Sequence, residues 1–454
     1  MLSPIKSLSC LLLFIQGFSV NARPPENSVI LGITSQTRAR LTSRLPVKIL
    51  CIGDSMSDAG YNFPSISRAL MIRMRDVYGD GGQGLDGWDL GSNPEAFGRP
   101  MPTGFFFSVS AALYPGDHLD CIQGGTNYYL DRSGWMAGNP YNSAGLFWYS
   151  HPGGGSFRVG ITNVWTQAAE GPNTLLNGYS PTPEIHYTNW PTVPSSHLEI
   201  RVTGVTGTNY LIGPELANRT SGVEVFFFAR GGVSLSQQLS LGINLLNQLG
   251  ASVSPDLVIY HAKDYGPAPD SQDTNTISTN LTLLLSSFTN KTTGIIIVGT
   301  PPGDSLGGQN AELQNLVERQ VAKANGFGFV DLYGAFASLE QNQANGLMND
   351  STHPSKFGAS VWADETARQL GFNEAIAVPP PEIISVVHDA KTLTLTWNAK
   401  PGQTYQLQST TDLANAWSDW NSATMATNTA ASASDPIPEG TSYRYYRVRI
   451  AAPH

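Results

Sequence analysis

Two short stretches hold residues whose types and spacing could do nucleophilic chemistry. In the first, Val47-Lys48-Ile49-Leu50-Cys51-Ile52-Gly53-Asp54-Ser55-Met56-Ser57-Asp58, an aliphatic run stops at a glycine and small polar residues follow. Such a run reads as a strand buried on both faces of a parallel sheet. A serine just past it stands where open α/β sheets place their ligands, which makes Ser55 a candidate nucleophile. Gly-Asp-Ser is also an ordinary turn, so the assignment requires a base elsewhere. The second stretch, Asn349-Asp350-Ser351-Thr352-His353-Pro354, offers one. A serine hydroxyl is a weak nucleophile until an imidazole accepts its proton. The imidazole in turn needs a carboxylate to fix its tautomer and stabilise the imidazolium. Asp350 and His353 are close enough in the chain to meet within one loop, although Asp-x-x-His alone is equally a surface loop.

With Gly-Asp-Ser-x-Ser early and Asp-x-x-His-Pro late, the chain resembles the GDSL (SGNH) hydrolase superfamily over roughly residues 46–90 and 223–372. The resemblance implies a three-layer α/β/α parallel sheet, flavodoxin-like, and a catalytic set of Ser55, Asp350 and His353. It implies an oxyanion hole of the Ser55 N–H, a glycine in Phe227-Phe228-Ala229-Arg230-Gly231-Gly232-Val233-Ser234, and an asparagine after the next strand. Gly232 is the better match for the glycine, with Gly231 the fallback. The asparagine is absent: after Asp256-Leu257-Val258-Ile259-Tyr260 the chain reads His261-Ala262-Lys263-Asp264. Lys263 stands in the place of the oxyanion asparagine, and His261 in the place of a glycine.

The elements that would position these residues follow from periodicity. A helix is predicted over residues 64–78, with Ile66, Leu70, Met74 and Val77 on one face and Pro64 suited to its first position. From 85 to 221 helical periodicity gives way to short alternating runs bounded by Gly, Pro, Asn and Ser, which read as an inserted all-β domain. Five tryptophans fall there: Trp88, Trp135, Trp148, Trp165 and Trp190. They could stack on sugars or fill a β-sandwich core. Strands at 223–228, 257–260, 294–299 and 329–332 then alternate with helices at 235–249, 276–288, 311–324 and 356–370, the pattern of a parallel sheet. Asp331 ends a strand and reads as structural. After Val378-Pro379-Pro380-Pro381, strictly alternating runs such as Leu393-Thr394-Leu395-Thr396-Trp397 form a C-terminal β-sandwich that resembles the fibronectin-type-III-like modules of exported bacterial enzymes. The division is therefore 1–22 leader, 45–90 and 223–375 hydrolase, 91–222 insert, 376–384 linker and 385–454 module.

Lys6, the apolar run 8–20 and Val20-Asn21-Ala22 read as a secretory signal peptide cleaved after Ala22, and no segment has the length of an integral membrane span. The expected location is secreted or periplasmic. A net charge of -9 without a basic run excludes an electrostatic surface for nucleic acid. No metal-ligand spacing occurs among the histidines and cysteines, so no metal or cofactor is implied. A bridge between Cys51 and Cys121 is permitted in an exported protein, but Cys51 lies inside the nucleophile strand, where a buried free thiol is common. Together these readings predict a secreted serine esterase acting on an acylated polysaccharide or oligosaccharide, chiefly on O-acetyl groups. A lipolytic hydrolase and a catalytically decayed glycan-binding protein remain the alternatives.

Overall fold

The aliphatic run at the nucleophile forms the strand Val47–Gly53, hydrogen-bonded in parallel to Val223–Ala229 on one side and Leu257–His261 on the other. The computed structural model describes residues 35–57, 65–84, 97–98, 106–109, 119–122, 126–131, 141–163, 166–195, 198–229, 233–262, 273–289, 293–302, 311–336, 338–372, 381, 383–388, 392–399, 404–411, 418–426, 430–436 and 445–450. The chain divides into two units, one of Val20–Ile376 and one containing Ala377–His454.

In the first unit the sheet runs in the order Glu184–Ser195, Tyr141–Ser150, Asn209–Ala217, Asp80–Gly84, Val223–Ala229, Val47–Gly53, Leu257–His261, Gly294–Val298, Gly328–Val330. From Asp80–Gly84 to Gly328–Val330 every pairing is parallel. Alternate residues of each strand enter different cores, as the two-residue period of a strand requires. Leu50, Ile52, Phe226, Phe228, Val258 and Tyr260 pack with Leu246, Leu249, Leu281 and Val317 of the helices on one face. Ile49, Cys51, Val225, Phe227, Leu257 and Ile259 pack with Met74, Trp362 and Ala363 of the helices on the other. The result is an α/β/α sandwich around the nucleophile strand. Among the described residues no helix is long and apolar enough to cross a membrane.

Helix boundaries follow caps more closely than apolar periodicity. The helix expected from residue 64 is Ile66–Tyr78, because the Ser65 hydroxyl accepts the Arg68 N–H; Pro64 lies outside the described residues. The single helix expected over 235–249 is two, Leu235–Leu239 and Ile243–Val253, broken at Gly242, whose φ of 87° only glycine adopts readily. The strand expected to 332 stops at Val330, and Asp331 caps the short helix Leu332–Ala335 by accepting the Gly334 N–H at 2.6 Å.

The described part of the insert is all strand, but it shares the core's sheet. Asn209–Ala217 pairs antiparallel with the otherwise open edge of Asp80–Gly84, and Tyr141–Ser150 and Glu184–Ser195 continue from it. An edge of unpaired N–H and C=O groups is a template for such addition. A second sheet, Phe97–Gly98, Thr126–Asp131, Leu198–Thr206, Ser156–Asn163 and Thr174–Asn177, contributes Phe157, Val159, Ile161 and Ile200 to an apolar layer shared with Leu146, Trp148 and Leu216 of the first. Buried charges cross the seam: Glu215 bonds the Tyr187 hydroxyl and Arg219 and lies 3.6 Å from Lys48, while Arg219 reaches Glu224 at 2.8 Å. Core and insert are thus joined by a shared sheet, by this ionic cluster, and by Phe147, Tyr149, Ile185 and Ile212, which pack in the same core as Leu246 and Leu249.

The second unit contains two three-stranded antiparallel sheets, Ile383–His388, Thr392–Asn398 and Ala430–Pro436, and Ser418–Met425, Thr404–Thr410 and Tyr445–Ile450. Its core holds Trp397 and Tyr405, ring centroids 6.2 Å apart.

Candidate active site

The end of the nucleophile strand is shaped by a close approach. A side chain at Gly53 would put its Cβ 1.9 Å from the His261 carbonyl oxygen, so only glycine lets the two strands run together to their carboxyl ends. Beyond Gly53 the chain turns. The Asp54 carboxylate accepts the Met56 N–H at 2.9 Å and the Asp54 carbonyl accepts the Ser57 N–H at 3.0 Å. Buried Ser57 donates its hydroxyl to the His261 carbonyl at 2.8 Å, 3.0 Å from the Ser67 hydroxyl. These bonds hold Ser55 between them at the carboxyl edge of the sheet.

The facing loop is equally constrained. Asn349 donates its N–H to the His353 carbonyl at 2.9 Å, and Ser355 donates to the Leu347 carbonyl at 2.9 Å, pinching the loop at its base. The Ser355 hydroxyl then caps the helix Lys356–Gln369. Within the loop, one Asp350 oxygen accepts the N–H groups of Thr352 at 2.7 Å and His353 at 2.6 Å. The other meets His353 Nδ1 at 2.9 Å, and His353 Nε2 lies 2.9 Å from Ser55 Oγ. The structure brings Ser55, His353 and Asp350 into one hydrogen-bonded line across 298 residues of sequence. With Nδ1–H donated to the carboxylate, Nε2 is left as an acceptor for the serine proton. The imidazole is only 15% exposed while the carboxylate is 41% exposed, so the ring is shielded and the acid faces water. Partial burial pushes the Asp350 carboxyl up, but the His353 and Thr352 N–H groups and the His353 ring outweigh it and hold the carboxyl below its ordinary range.

Of the expected oxyanion donors, the Ser55 N–H belongs to the described turn, whereas Gly232, Gly231 and Lys263 lie outside the described residues. His261 is described and has no surface exposure. Burial drives its imidazole down to about 3, the Met56 main chain opposing in part. Beyond this weak interaction with the Met56 main chain, neither ring nitrogen makes a well-formed hydrogen bond among the described residues. His261 is therefore a neutral ring packed under the nucleophile turn. Cys51 is free and buried, its thiol pushed up to about 12 by burial, which leaves it unreactive. Trp148 and Trp190 are buried, Trp148 bonding the Asn177 carbonyl through Nε1; Trp88, Trp135 and Trp165 lie outside the described residues. Among the described residues no group of three His, Cys, Asp or Glu side chains could hold a metal ion.

Sequence reasoning missed Gln238. It is 1% exposed and donates Nε2–H to the Gly53 carbonyl at 2.7 Å. Its signal was present: a glutamine within the apolar face of a helix that follows the Gly231-Gly232 pair in the sequence.

The mixed α/β sheet with its parallel core fits an SGNH-like fold. No family model matches the chain, and no curated protein matches it. Among solved structures it is similar to a peptidoglycan O-acetylesterase, with a TM-score of 0.56 and 19% identity over 75% of this chain and 95% of that one. A lipase/acylhydrolase from Enterococcus faecalis aligns over 33% of this chain and 76% of its own, at 18% identity and a TM-score of 0.26. An acetylxylan esterase from Geobacillus stearothermophilus aligns over 34% and 74%, also at 18% and 0.26. At such identity the first likeness establishes the fold; the other two overlap too little to add weight.

Proposed function

We propose that this chain is a serine ester hydrolase that removes acyl groups, chiefly O-acetyl, from extracellular glycans. The observation that carries the reading is the line from Ser55 Oγ through the His353 ring to Asp350, with both contacts at 2.9 Å. Ser55 attacks the ester carbonyl as His353 Nε2 takes its proton, and the imidazolium formed is stabilised by Asp350. The tetrahedral oxyanion is met by the Ser55 N–H, by Gly232 and by Lys263. Collapse expels the sugar alcohol, which receives the proton from His353. Water then repeats the sequence on the acyl-enzyme and releases the carboxylic acid.

The glycan substrate is supported by the resemblance of residues 1–22 to a secretory signal peptide, and by the strand-rich insert beside the core. It is also supported by the activity of the protein whose fold this chain shares over three quarters of its length, a peptidoglycan O-acetylesterase. The C-terminal module, which by its sequence resembles a fibronectin-type-III-like module, fits attachment or spacing at an extracellular surface. Incubation with O-acetylated polysaccharides, with released acetate measured, tests the assignment. Acetate release that is lost in Ser55→Ala supports it. Activity confined to long-chain nitrophenyl esters would replace it with lipolysis, and inactivity on every ester would replace it with glycan binding.

A further inference from the structure

We propose that Gln238 is a positioning residue for the reaction: its side-chain amide sets the orientation of the Ser55 turn relative to the helix Leu235–Leu239. This rests on the reading of Ser55 as the nucleophile. Gly53 is the last residue of the nucleophile strand, and beyond it the chain leaves the sheet. A buried carbonyl at such a point requires a donor. Here the donor is the Gln238 Nε2–H, at 2.7 Å and from 185 residues away. The Gly53–Asp54 peptide is planar, so holding its carbonyl also holds the Asp54 N–H and the direction in which the chain enters Asp54 and Ser55.

The source of the donor is itself rigid. Ser234 caps Leu235–Leu239 through a reciprocal pair with Gln237: the Ser234 hydroxyl accepts the Gln237 N–H at 3.3 Å and Gln237 Oε1 accepts the Ser234 N–H at 2.9 Å. Gln238 follows directly, and Gly232 precedes Ser234 by two residues in the chain. The amide thus ties the nucleophile turn to the segment that carries the proposed oxyanion glycine. At the other end of the same turn Ser57 is bonded to the His261 carbonyl, so the turn is held from both flanks. The Gln238 Oε1 atom is buried without a partner among the described residues. A side chain kept for general polarity would use both ends; among the described residues this one uses only its donor. The reversed amide would set oxygen against oxygen at Gly53, which fixes the observed orientation.

Gln238→Met keeps the length and removes the donor, and Gln238→Glu restores a donor only when its carboxyl is protonated. Rates are measured on nitrophenyl acetate per active site, counted by organophosphonate labelling of Ser55, so that misfolded protein does not enter. The expected result is a kcat lowered about 10- to 100-fold in Gln238→Met, the scale of a small misplacement of reacting groups, with KM within about twofold of wild type. The activity of Gln238→Glu relative to wild type should rise as the pH falls, and that of Gln238→Met should not. A kcat in Gln238→Met within about threefold of wild type overturns the proposal, because a donor with no bearing on reacting geometry leaves kcat alone. If Gln238→Met does not fold, a pH-independent ratio for Gln238→Glu overturns it instead. Wild-type protein that neither hydrolyses esters nor labels at Ser55 removes the functional reading and this proposal together. An active wild type, an inactive Ser55→Ala and an unaffected Gln238→Met remove the proposal alone.

Discussion

Replacing His261 by leucine should change how stability depends on pH, and the size of the change follows from the burial of the ring. In the unfolded chain the imidazole titrates at its ordinary value of 6.5, and burial drives it down to about 3 in the folded protein. Between these values the unfolded state binds a proton that the folded state does not, so the wild-type protein loses stability as the pH falls. Stability from a neutral His261 is complete above 6.5, declines through the window from 6.5 to 3, and falls no further below it. Each unit in the window costs about 1.4 kcal/mol, hence about 2.7 kcal/mol two units below the unfolded value. Leucine cannot titrate and leaves no unpaired ring nitrogen, so His261→Leu should match or exceed the wild type near neutrality. Urea unfolding of both proteins, followed by tryptophan fluorescence from about pH 8 to pH 4.5, measures the difference directly. Other groups, Asp350 among them, contribute acid sensitivity to both proteins and cancel in the comparison. The free-energy difference between the two proteins should widen in favour of the variant by more than about 2 kcal/mol across that range. Parallel curves, separated by a constant amount, would refute the reasoning and mean that the ring is protonated or solvated in the folded state.

Ser55→Ala and His353→Ala should each lower ester hydrolysis about 10⁴-fold or more with the thermal transition nearly unchanged, and organophosphonate labelling that survives in Ser55→Ala would exclude Ser55 as nucleophile. Lys263→Ala should lower kcat about a hundredfold if the ammonium meets the oxyanion, and Lys263→Asn should recover much of that rate. A change below about threefold would assign Lys263 to an exposed ion pair with Asp264 instead. Trp148→Ala removes a ring packed edge-on against Phe157 at 6.0 Å and should cost about 3–5 kcal/mol in denaturant unfolding. Loss of polymer binding at unchanged stability would instead make Trp148 a sugar-stacking residue.

The parallel core was legible because local pattern and burial agree there. A run such as Ile49–Ile52, apolar at every position, is stable only with both faces covered, and the structure covers both, with Ile49 and Cys51 in one core and Leu50 and Ile52 in the other. Caps were legible only in part: Ser65 and Asp331 stood in the sequence as ordinary polar residues until their bonds to Arg68 and Gly334 were seen. The insert was legible as strands but not as an extension of the core sheet. Alternation reports which face of a strand is buried, whereas the pairing of Asn209–Ala217 with Asp80–Gly84 is a choice among edges that backbone groups make without side-chain code. For the site, residue types made Ser55, Asp350 and His353 candidates for a proton relay, and the resemblance carried by the two motifs joined them into one set. What they could not express is distance across the sheet. That His353 Nε2 lies 2.9 Å from Ser55 Oγ, that His261 is fully buried, and that Gln238 holds the Gly53 carbonyl are consequences of strands and helices far apart in sequence meeting at one sheet edge. Such meetings are decided by packing of the whole unit, which no local stretch of sequence contains.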